Sequence, residues 1–333
     1  MTPWDRRAQG TDRGPEGPRP FQSDACLILF ASSCPRQNRH TCSVEPLTEL
    51  RALADRAENR RTETGIPRVA MVKGRVPEHE LAAVYEPMIN LILDGSKTMT
   101  IGERTLRYDP ATYFVMAIHL PAVGRVHAAG PGRPYLAVSL TIDAAVVGDL
   151  LAAIPSHPGR CGGFAVAPVT AALLDAWCRL LRLMNRPDEI GALAPLYERE
   201  ILFRVLQGPQ GHILRDIAVP DSASARMRDA IQWIRAHSNQ PLPVGELARR
   251  SGMSGSAFHK HFKRVTSMSP LQFQKRLRLM QARSLLVGNV ATASAVAFDV
   301  GYESPSQFNR EYARFFGKPP ATDAREVRAQ LRQ

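Results

Sequence analysis

The sequence lacks a disulfide framework and any apolar run long enough to cross a membrane. Its five cysteines among 333 residues are odd in number and sparse, which is typical of a chain in a reducing compartment. No apolar stretch approaches the roughly 18 residues that a membrane span needs. The short apolar run 26–33 follows 24 residues with as many acidic as basic side chains, so a positively charged leader is missing. We therefore expect a cytoplasmic protein without membrane contact.

Acidic residues are scarcer than basic ones, and the deficit is local. The chain has 43 Lys and Arg against 31 Asp and Glu, a net charge of +12. Residues 221–333 contain 18 basic and 8 acidic side chains, so +10 of this charge lies in the last third. A basic segment beside a near-neutral one predicts a polyanionic partner, most often nucleic acid. A general bias toward Arg would explain the total charge but not its asymmetry.

Composition divides the chain into four segments. Residues 1–45 are rich in Pro, Gly, Arg and Ser and are expected to be a disordered extension. Residues 46–210 begin with short strand-like runs and continue with apolar residues at helical spacing. Residues 225–328 are basic, with helical patterns. The Pro- and Gly-containing stretch 211–224 is the best candidate for a linker.

The second segment predicts a small β domain followed by helices. A helix is expected at 47–61, and a later helix is expected to begin at Pro195 and end at Gly208. Short runs rich in Val, Ile, Thr and Tyr, separated by Asp-Gly and Asp-Pro corners, predict the strands of a barrel or sandwich. The predicted strands are 88–93, 97–101, 105–108, 112–120 and 134–142.

One pattern occurs twice in the basic segment, fifty residues apart. The matching pairs are Ser254 and Ser304, Ser256 and Ser306, Phe258 and Phe308, Lys260 and Arg310, Phe262 and Tyr312, and Arg264 and Arg314. In each copy a glycine, Gly252 or Gly301, makes the turn between a short helix and a second helix that a serine begins. The repeat predicts two helix-turn-helix units, at 244–266 and 292–316.

The second helix of each unit has one apolar and one polar face. Short polar side chains near the helix start suit base edges in a major groove, and longer cations suit guanine or phosphate. A single unit is equally well explained by a solvated surface, but the repeat and the charge asymmetry favour DNA binding. The predicted contact residues are Ser254, Ser256, His259, Lys260 and Lys263 in the first unit and Ser304, Ser306, Asn309 and Arg310 in the second.

A connecting helix is expected from Pro270 to Val287. Eighteen residues at 1.5 Å each give roughly 27 Å, close to the roughly 34 Å between successive major grooves on one side of B-DNA. We expect this helix to lie along the DNA and to supply cations from four residues. They are Lys275, Arg276, Arg278 and Arg283. Because the two units differ in their outward residues, the expected DNA site is asymmetric.

These motifs resemble those of AraC/XylS-type transcription regulators. The strings GMSGSAFHKHFKRVTSMSPLQFQKRLRLMQARSLL and VGYESPSQFNREYARFFGKPP are similar to the DNA-binding domain of that family. Upstream, YEPMINLILDGSKTMTIGERTLRYDP and LAPLYEREILFRVLQGPQG resemble the N-terminal domain of one AraC-type subgroup. In unit two, the pair Phe298-Asp299 departs from the small residues common in that subgroup.

The resemblance implies an α+β chain with two domains. The N-terminal one is a cupin-like β-barrel with a helical appendage, and the C-terminal one is an all-α tandem helix-turn-helix domain. It implies base contacts from Ser256, His259 and Lys260 in one unit and Ser306, Asn309 and Arg310 in the other. The implied partners are double-stranded DNA, RNA polymerase, a small-molecule effector and a second copy of the chain.

The β domain can serve sensing, dimerisation or metal chemistry. His79, Glu80, His119 and His127 lack the tight spacing expected of a metal site, so we expect no metal and no cofactor. A pocket is predicted to be lined by Tyr85, Met88, Tyr108, Tyr113 and Met116, although such residues in strands are more often plain core.

Three functions compete at this point. The favoured one is a non-enzymatic, sequence-specific transcription regulator. The alternatives are a metal-dependent cupin-type enzyme tethered to a DNA-binding domain and a ligand-independent architectural DNA binder.

Overall fold

The computed structural model describes residues 44–74, 78–154, 162–218, 223–288 and 291–331. The predicted disordered extension, residues 1–45, lies almost entirely outside this part. Among the described residues, every helix is too short or too polar to cross a lipid bilayer.

The first half of the described chain forms two antiparallel sheets with helices appended. In chain order the elements are α1 (Val44–Ala54), β1 (Arg61–Glu63), β2 (Val69–Gly74), β3 (Glu78–Tyr85), β4 (Met88–Asp94), β5 (Ser96–Ile101), β6 (Arg104–Tyr108), β7 (Thr112–Met116), β8 (Leu120–His127), β9 (Tyr135–Thr141), α2 (Ala144–Ala152), β10 (Phe164–Pro168), α3 (Ala171–Arg182), α4 (Ile190–Gln207) and α5 (Gly211–Ala218). One sheet has the order β1-β2-β9-β4-β7-β10, and the other has the order β3-β8-β5-β6.

The two sheets pack face to face through buried aromatic and polar side chains. The ring of Tyr108 on β6 stacks on Phe114 of β7, with centroids 5.3 Å apart. Its hydroxyl donates to Asn90 Oδ1 on β4 at 3.0 Å, and Asn90 Nδ2 donates to the Val138 carbonyl at 3.2 Å. The buried polar groups of this contact are therefore hydrogen-bonded, as an apolar interior requires.

The other face of the larger sheet is covered by helices. α1 packs on β4 and β9, and α3, whose Trp177 is fully buried, packs on α1. Arg68, at φ 64°, precedes β2 and donates to both carboxylate oxygens of the buried Glu198 on α4, at 3.0 and 2.5 Å. This bidentate pair fixes the helical layer to the edge of the sheet.

The second half is all-α. It consists of α6 (Ala223–Ala236), α7 (Val244–Arg250), α8 (Gly255–Thr266), α9 (Pro270–Val287), α10 (Ala293–Asp299), α11 (Pro305–Phe316) and α12 (Pro320–Leu331). The apolar core of the β domain continues into α6, α7, α8 and the first half of α9. A separate core joins the second half of α9 to α10, α11 and α12. The predicted fold class, a β domain with helices followed by an all-α domain, is confirmed.

Several predicted elements differ from the observed ones. The helix expected at 47–61 is α1, which ends at Ala54 in a turn where the Ala57 amide donates to the Ala54 carbonyl at 2.9 Å; β1 follows at Arg61. The strand expected at 112–120 ends at Met116, where the chain bends and the next amide, of Ala117, bonds to the Gly163 carbonyl at 2.9 Å.

The helical segments also differ from the prediction in two places. Pro195 lies inside α4 rather than in its first turn. Residues 211–218 of the expected linker form α5, which packs on α2 and α4. The domain boundary at 211–224 itself stays a prediction.

Candidate nucleic-acid interface

The first helix-turn-helix unit is built from α7, a glycine turn and α8. Gly252 has φ +65°, a left-handed conformation that glycine adopts without a Cβ penalty. Ser254 is the N-cap of α8, and its side chain accepts a hydrogen bond from the amide of Ala257 at 3.3 Å. Phe258 and Phe262 are fully buried, and Phe262 meets Phe273 of α9 edge to face at 5.4 Å. These contacts fix which face of α8 points outward.

The outward face of α8 is polar and cationic. Ser256, His259, Lys260 and Lys263 are all exposed. Burial and then the neighbouring cations Arg264 and Lys260 lower the pKa of His261, which lies beside this face. Lys260, Lys263 and Arg264 give α8 a positive charge, the sign that attracts a phosphate backbone.

The second unit has the same architecture with different capping. Thr292 caps α10 by accepting from the amide of Ala295 at 3.3 Å, and Gly301, at φ +88°, makes the turn. Ser304 occupies the N-cap position of α11, but its side chain makes no capping hydrogen bond. The expectation that Ser304 caps through its side chain is therefore wrong. Pro305 occupies the first helical position, where the missing amide is tolerated because it would have no partner within the helix.

Eight of the nine predicted DNA-contacting residues are exposed. They are Ser254, Ser256, His259, Lys260, Lys263, Ser306, Asn309 and Arg310. Ser304 is half-buried. Phe308 and Tyr312 are fully buried on the opposite side of α11. Both second helices thus present the predicted side chains to solvent, and contact with DNA stays a prediction for each of them.

The cations of α9 do not form the free basic surface that was expected. Arg278 donates to the carbonyls of Ser238, Gln240 and Gly301, at 2.6, 2.9 and 2.7 Å. Burial lowers the pKa of Arg278. Its guanidinium ties α9 to the loop before α7 and to the turn of the second unit.

The other three α9 cations are also engaged inside the protein. Arg276 donates to the carbonyl of Gly102 at 3.1 Å, and Lys275 Nζ lies 2.8 Å from Glu311 Oε1 on α11. Arg283 makes a bidentate pair with Asp323 of α12, at 2.8 and 2.9 Å. Lys275 thus joins α9 to α11, Arg283 joins α9 to α12, and Arg276 joins α9 to the turn between β5 and β6.

The β domain touches the first unit at two glycines. A Cβ at Gly102, in the β5–β6 turn, would lie 2.1 Å from the carbonyl oxygen of Ser267, just after α8. A Cβ at Gly163, before β10, would lie 2.3 Å from the carbonyl oxygen of Val265. Backbone therefore packs directly on backbone at the end of α8, which only glycine permits at such distances.

An ion pair extends this contact to the predicted DNA-binding face. Lys263 Nζ lies 3.1 Å from Glu103 Oε2 of the β5–β6 turn, and both side chains are more than half exposed. Exposed pairs of this kind contribute about 0–1 kcal/mol. The acidic residue neutralises one cation that was predicted to contact DNA.

The predicted effector pocket is only partly assembled. Tyr108 and Met116 are buried between the sheets, Met88 is paired in register with Met116, and the Tyr85 hydroxyl is buried. Tyr113 lies on the other face of β7, with its hydroxyl beside Gly208, because neighbouring strand residues alternate. Tyr113 is therefore separated from the other pocket residues.

Sequence reasoning missed a polar residue near this pocket. Lys97 is buried among the inward residues of β5. Lys97 alternates with the apolar Met99 and Ile101 along the strand, and this pattern could have identified it as an inward-facing residue.

His119 and His127, two of the residues considered as metal ligands, lie in different surroundings. His127 Nε2 lies 3.0 Å from Thr98 Oγ1, and burial, followed by the charge of Arg235, lowers the pKa of His119. Within the described ranges, no three His, Cys, Asp or Glu side chains are close enough to hold a metal ion. The side chains of His79 and Glu80 lie outside the described residues.

Two family models match the chain, and together they cover both halves. Residues 65–213 match the AraC-type transcriptional regulator N-terminus, and residues 247–326 match a helix-turn-helix domain. The transcriptional activator RhaS of Escherichia fergusonii is 28% identical over 151 residues, which are 44% of this chain and 52% of RhaS. The transcriptional regulator ArgR of Pseudomonas aeruginosa is 25% identical over 168 residues, which are 50% of this chain and 48% of ArgR. The chain thus spans about half the length of the curated relatives it matches.

A solved structure shares the fold across both halves. The apo form of a ToxT variant from Vibrio cholerae aligns with 80% of this chain and 98% of its own, with a TM-score of 0.52 and 9% identity. At this identity the likeness concerns the fold alone. The two matched segments lie on the β domain and on the tandem helix-turn-helix just described, and they identify the chain as a member of the AraC family of transcriptional regulators.

Proposed function

We propose that this chain is a sequence-specific DNA-binding transcription regulator that places α8 and α11 in successive major grooves. The observation that carries the proposal is the matched geometry of these two helices. Each helix buries its aromatic side chains against neighbouring helices. Each exposes a serine hydroxyl, a cation, and either an imidazole (α8) or a side-chain amide (α11). Such side chains supply the donors and charges that base edges and phosphates accept.

Recognition rests on three residues of each unit. Ser256, His259 and Lys260 form the first set, and Ser306, Asn309 and Arg310 form the second. Because the sets differ, one chain reads an asymmetric site. We further propose that the segment 46–210 senses a small-molecule effector or mediates dimerisation, that the protein acts in the cytoplasm, and that RNA polymerase is its partner at promoters.

The test compares the binding of two variants to a selected DNA sequence and to random DNA. A bound sequence is first selected from a random DNA pool with the full chain. Binding of Lys260→Ala and Arg310→Ala to that sequence and to random DNA is then measured at fixed salt. Each change is expected to weaken specific binding by about 1–3 kcal/mol, because a base contact is lost, and random-DNA binding by much less.

Control variants come from the same helices. Arg264→Ala on α8 and Arg314→Ala on α11 remove exposed cations that lie off the proposed reading face, and they should leave specificity unchanged. Equal losses on selected and random DNA for Lys260→Ala and Arg310→Ala would refute base reading. Failure to enrich any sequence from the pool would refute sequence-specific binding altogether.

A further inference from the structure

Lys97 is a buried lysine with no counter-charge among the residues that the structure describes. It is 6% exposed and lies on the same face of β5 as the fully buried Met99 and Ile101. Within the described ranges, its Nζ has no hydrogen bond and no ion pair, and its charge contacts only the ring of Tyr85, 4.9 Å from the centroid. Burial lowers the pKa of Lys97 to about 8, and a buried charge without a partner destabilises a fold.

The hydroxyl of Tyr85 is a second buried donor without a partner. It makes no hydrogen bond, whereas the hydroxyl of the nearby Tyr108 donates to Asn90. An unsatisfied buried donor destabilises a fold, so the Tyr85 hydroxyl needs an explanation.

The two unpartnered donors converge on one point beside β8. A Cβ at Gly124 would lie 2.7 Å from the Tyr85 hydroxyl oxygen, 2.9 Å from Lys97 Cε and 3.5 Å from Lys97 Nζ. A side chain at this position would displace the Tyr85 hydroxyl and the end of Lys97. The absence of a side chain at Gly124 lets a positive donor and a neutral donor approach the same place between the sheets.

We infer that Lys97 and Tyr85 bind the carboxylate of a small organic acid inside the β domain. A carboxylate has two oxygens, so one can accept from the ammonium and the other from the hydroxyl, and its single charge matches that of one lysine. The flanking side chains on the same strand, Met99 and Ile101, are apolar, which suits an acid with an apolar body. A regulatory effect of the acid rests on the proposed sensing role. Binding of the acid does not, because it is measured without DNA.

The binding test uses the full chain and a defined set of acids. Thermal unfolding is recorded with straight-chain monocarboxylates from acetate to decanoate and with benzoate, and each acid is compared with its primary amide. Inorganic phosphate is a separate arm. At least one acid is expected to raise the unfolding temperature in a saturable way, while its uncharged amide does not.

Substitutions assign the effect to the two donors. Lys97→Met is expected to weaken binding of the active acid at least tenfold, and Tyr85→Phe severalfold. Lys73→Met removes a lysine of the same domain that is paired with Asp55, and Tyr113→Phe removes a hydroxyl on the other face of β7. Both controls should bind the acid as the unchanged protein does.

A second measurement needs no ligand. Because an unpaired buried charge is removed, Lys97→Met should raise the unfolding temperature of the ligand-free chain below pH 8. The folded protein loses the Lys97 proton near pH 8 and the unfolded chain near its usual pKa of 10.5. Between these values the unfolded chain binds more protons, so the unchanged protein gains stability as the pH rises and the difference shrinks.

Four results would overturn the inference. They are a destabilised ligand-free Lys97→Met variant, undiminished acid binding by that variant, no stabilisation by any acid in the set, and stabilisation by phosphate but not by carboxylates. DNA selection with the same ligand-free preparation separates these outcomes from a failure of the proposed regulator function.

Discussion

The second helix-turn-helix unit depends on one buried ion pair. Arg283 of α9 donates two hydrogen bonds to Asp323 of α12, at 2.8 and 2.9 Å, and Tyr312 of α11 donates a third at 2.7 Å. Asp323 is 4% exposed. In Arg283→Met, the carboxylate keeps only the tyrosine hydroxyl, and a buried charge that loses its partner destabilises a protein by about 3–5 kcal/mol. Total stabilities are only about 5–15 kcal/mol, so the unit should unfold early.

Urea unfolding of the full chain and hydrogen exchange of the α11 amides measure this loss. Replacing both partners, as in Arg283→Met with Asp323→Leu, removes the stranded charge and should restore most of the stability. Arg325→Met, on the exposed side of α12, is the matched control and should change stability by less than about 0.5 kcal/mol. The reasoning is refuted if Arg283→Met costs less than about 1 kcal/mol, or if the double variant is as unstable as the summed single changes predict.

Two further predictions concern the first unit and the helix caps. Gly163→Ala should lower stability by about 1–3 kcal/mol in thermal unfolding, because its Cβ would lie 2.3 Å from the Val265 carbonyl. Gly162→Ala, whose Cβ would have only an ordinary 3.7 Å contact, is the control, and equal effects would contradict the steric explanation. Ser254→Ala should cost about 1 kcal/mol, whereas Ser304→Ala should cost little because its side chain caps nothing; a larger loss for Ser304→Ala would reverse the assignment.

The sequence predicted the tandem unit well because its boundaries are local. Gly252 ends the first helix-turn segment, and Ser269 with Pro270 begins α9 through a capping box and a proline at the first helical position. These signals depend on neighbouring residues, so the observed bounds of α9, Pro270–Val287, equal the predicted ones. The stretch after β7 carries no such marker, so the strand predicted at 112–120 extends beyond the end of β7, and β8 is missing from the predicted strands.

The functional meaning of the α9 cations could not be predicted in the same way. Helical periodicity shows which side of a helix a residue occupies, but not what covers that side. Arg283 bonds to Asp323, forty residues later in the sequence, and Arg276 bonds to the Gly102 carbonyl, 174 residues earlier. Only tertiary contacts distinguish a cation that binds DNA from one that binds a carbonyl of its own chain.

The same contacts define how a signal from the β domain would reach DNA. The core of the first unit is continuous with that of the β domain, whereas the second unit has its own core. On α9, Arg276 bonds to the β5–β6 turn and its neighbour Lys275 bonds to Glu311 of α11. A movement of that turn would act directly on the first unit, through Gly102 and the Lys263 pair with Glu103. It would reach the second unit less directly, through the contact of α9 with α11, so we expect an effector to change affinity for the first half-site more than for the second.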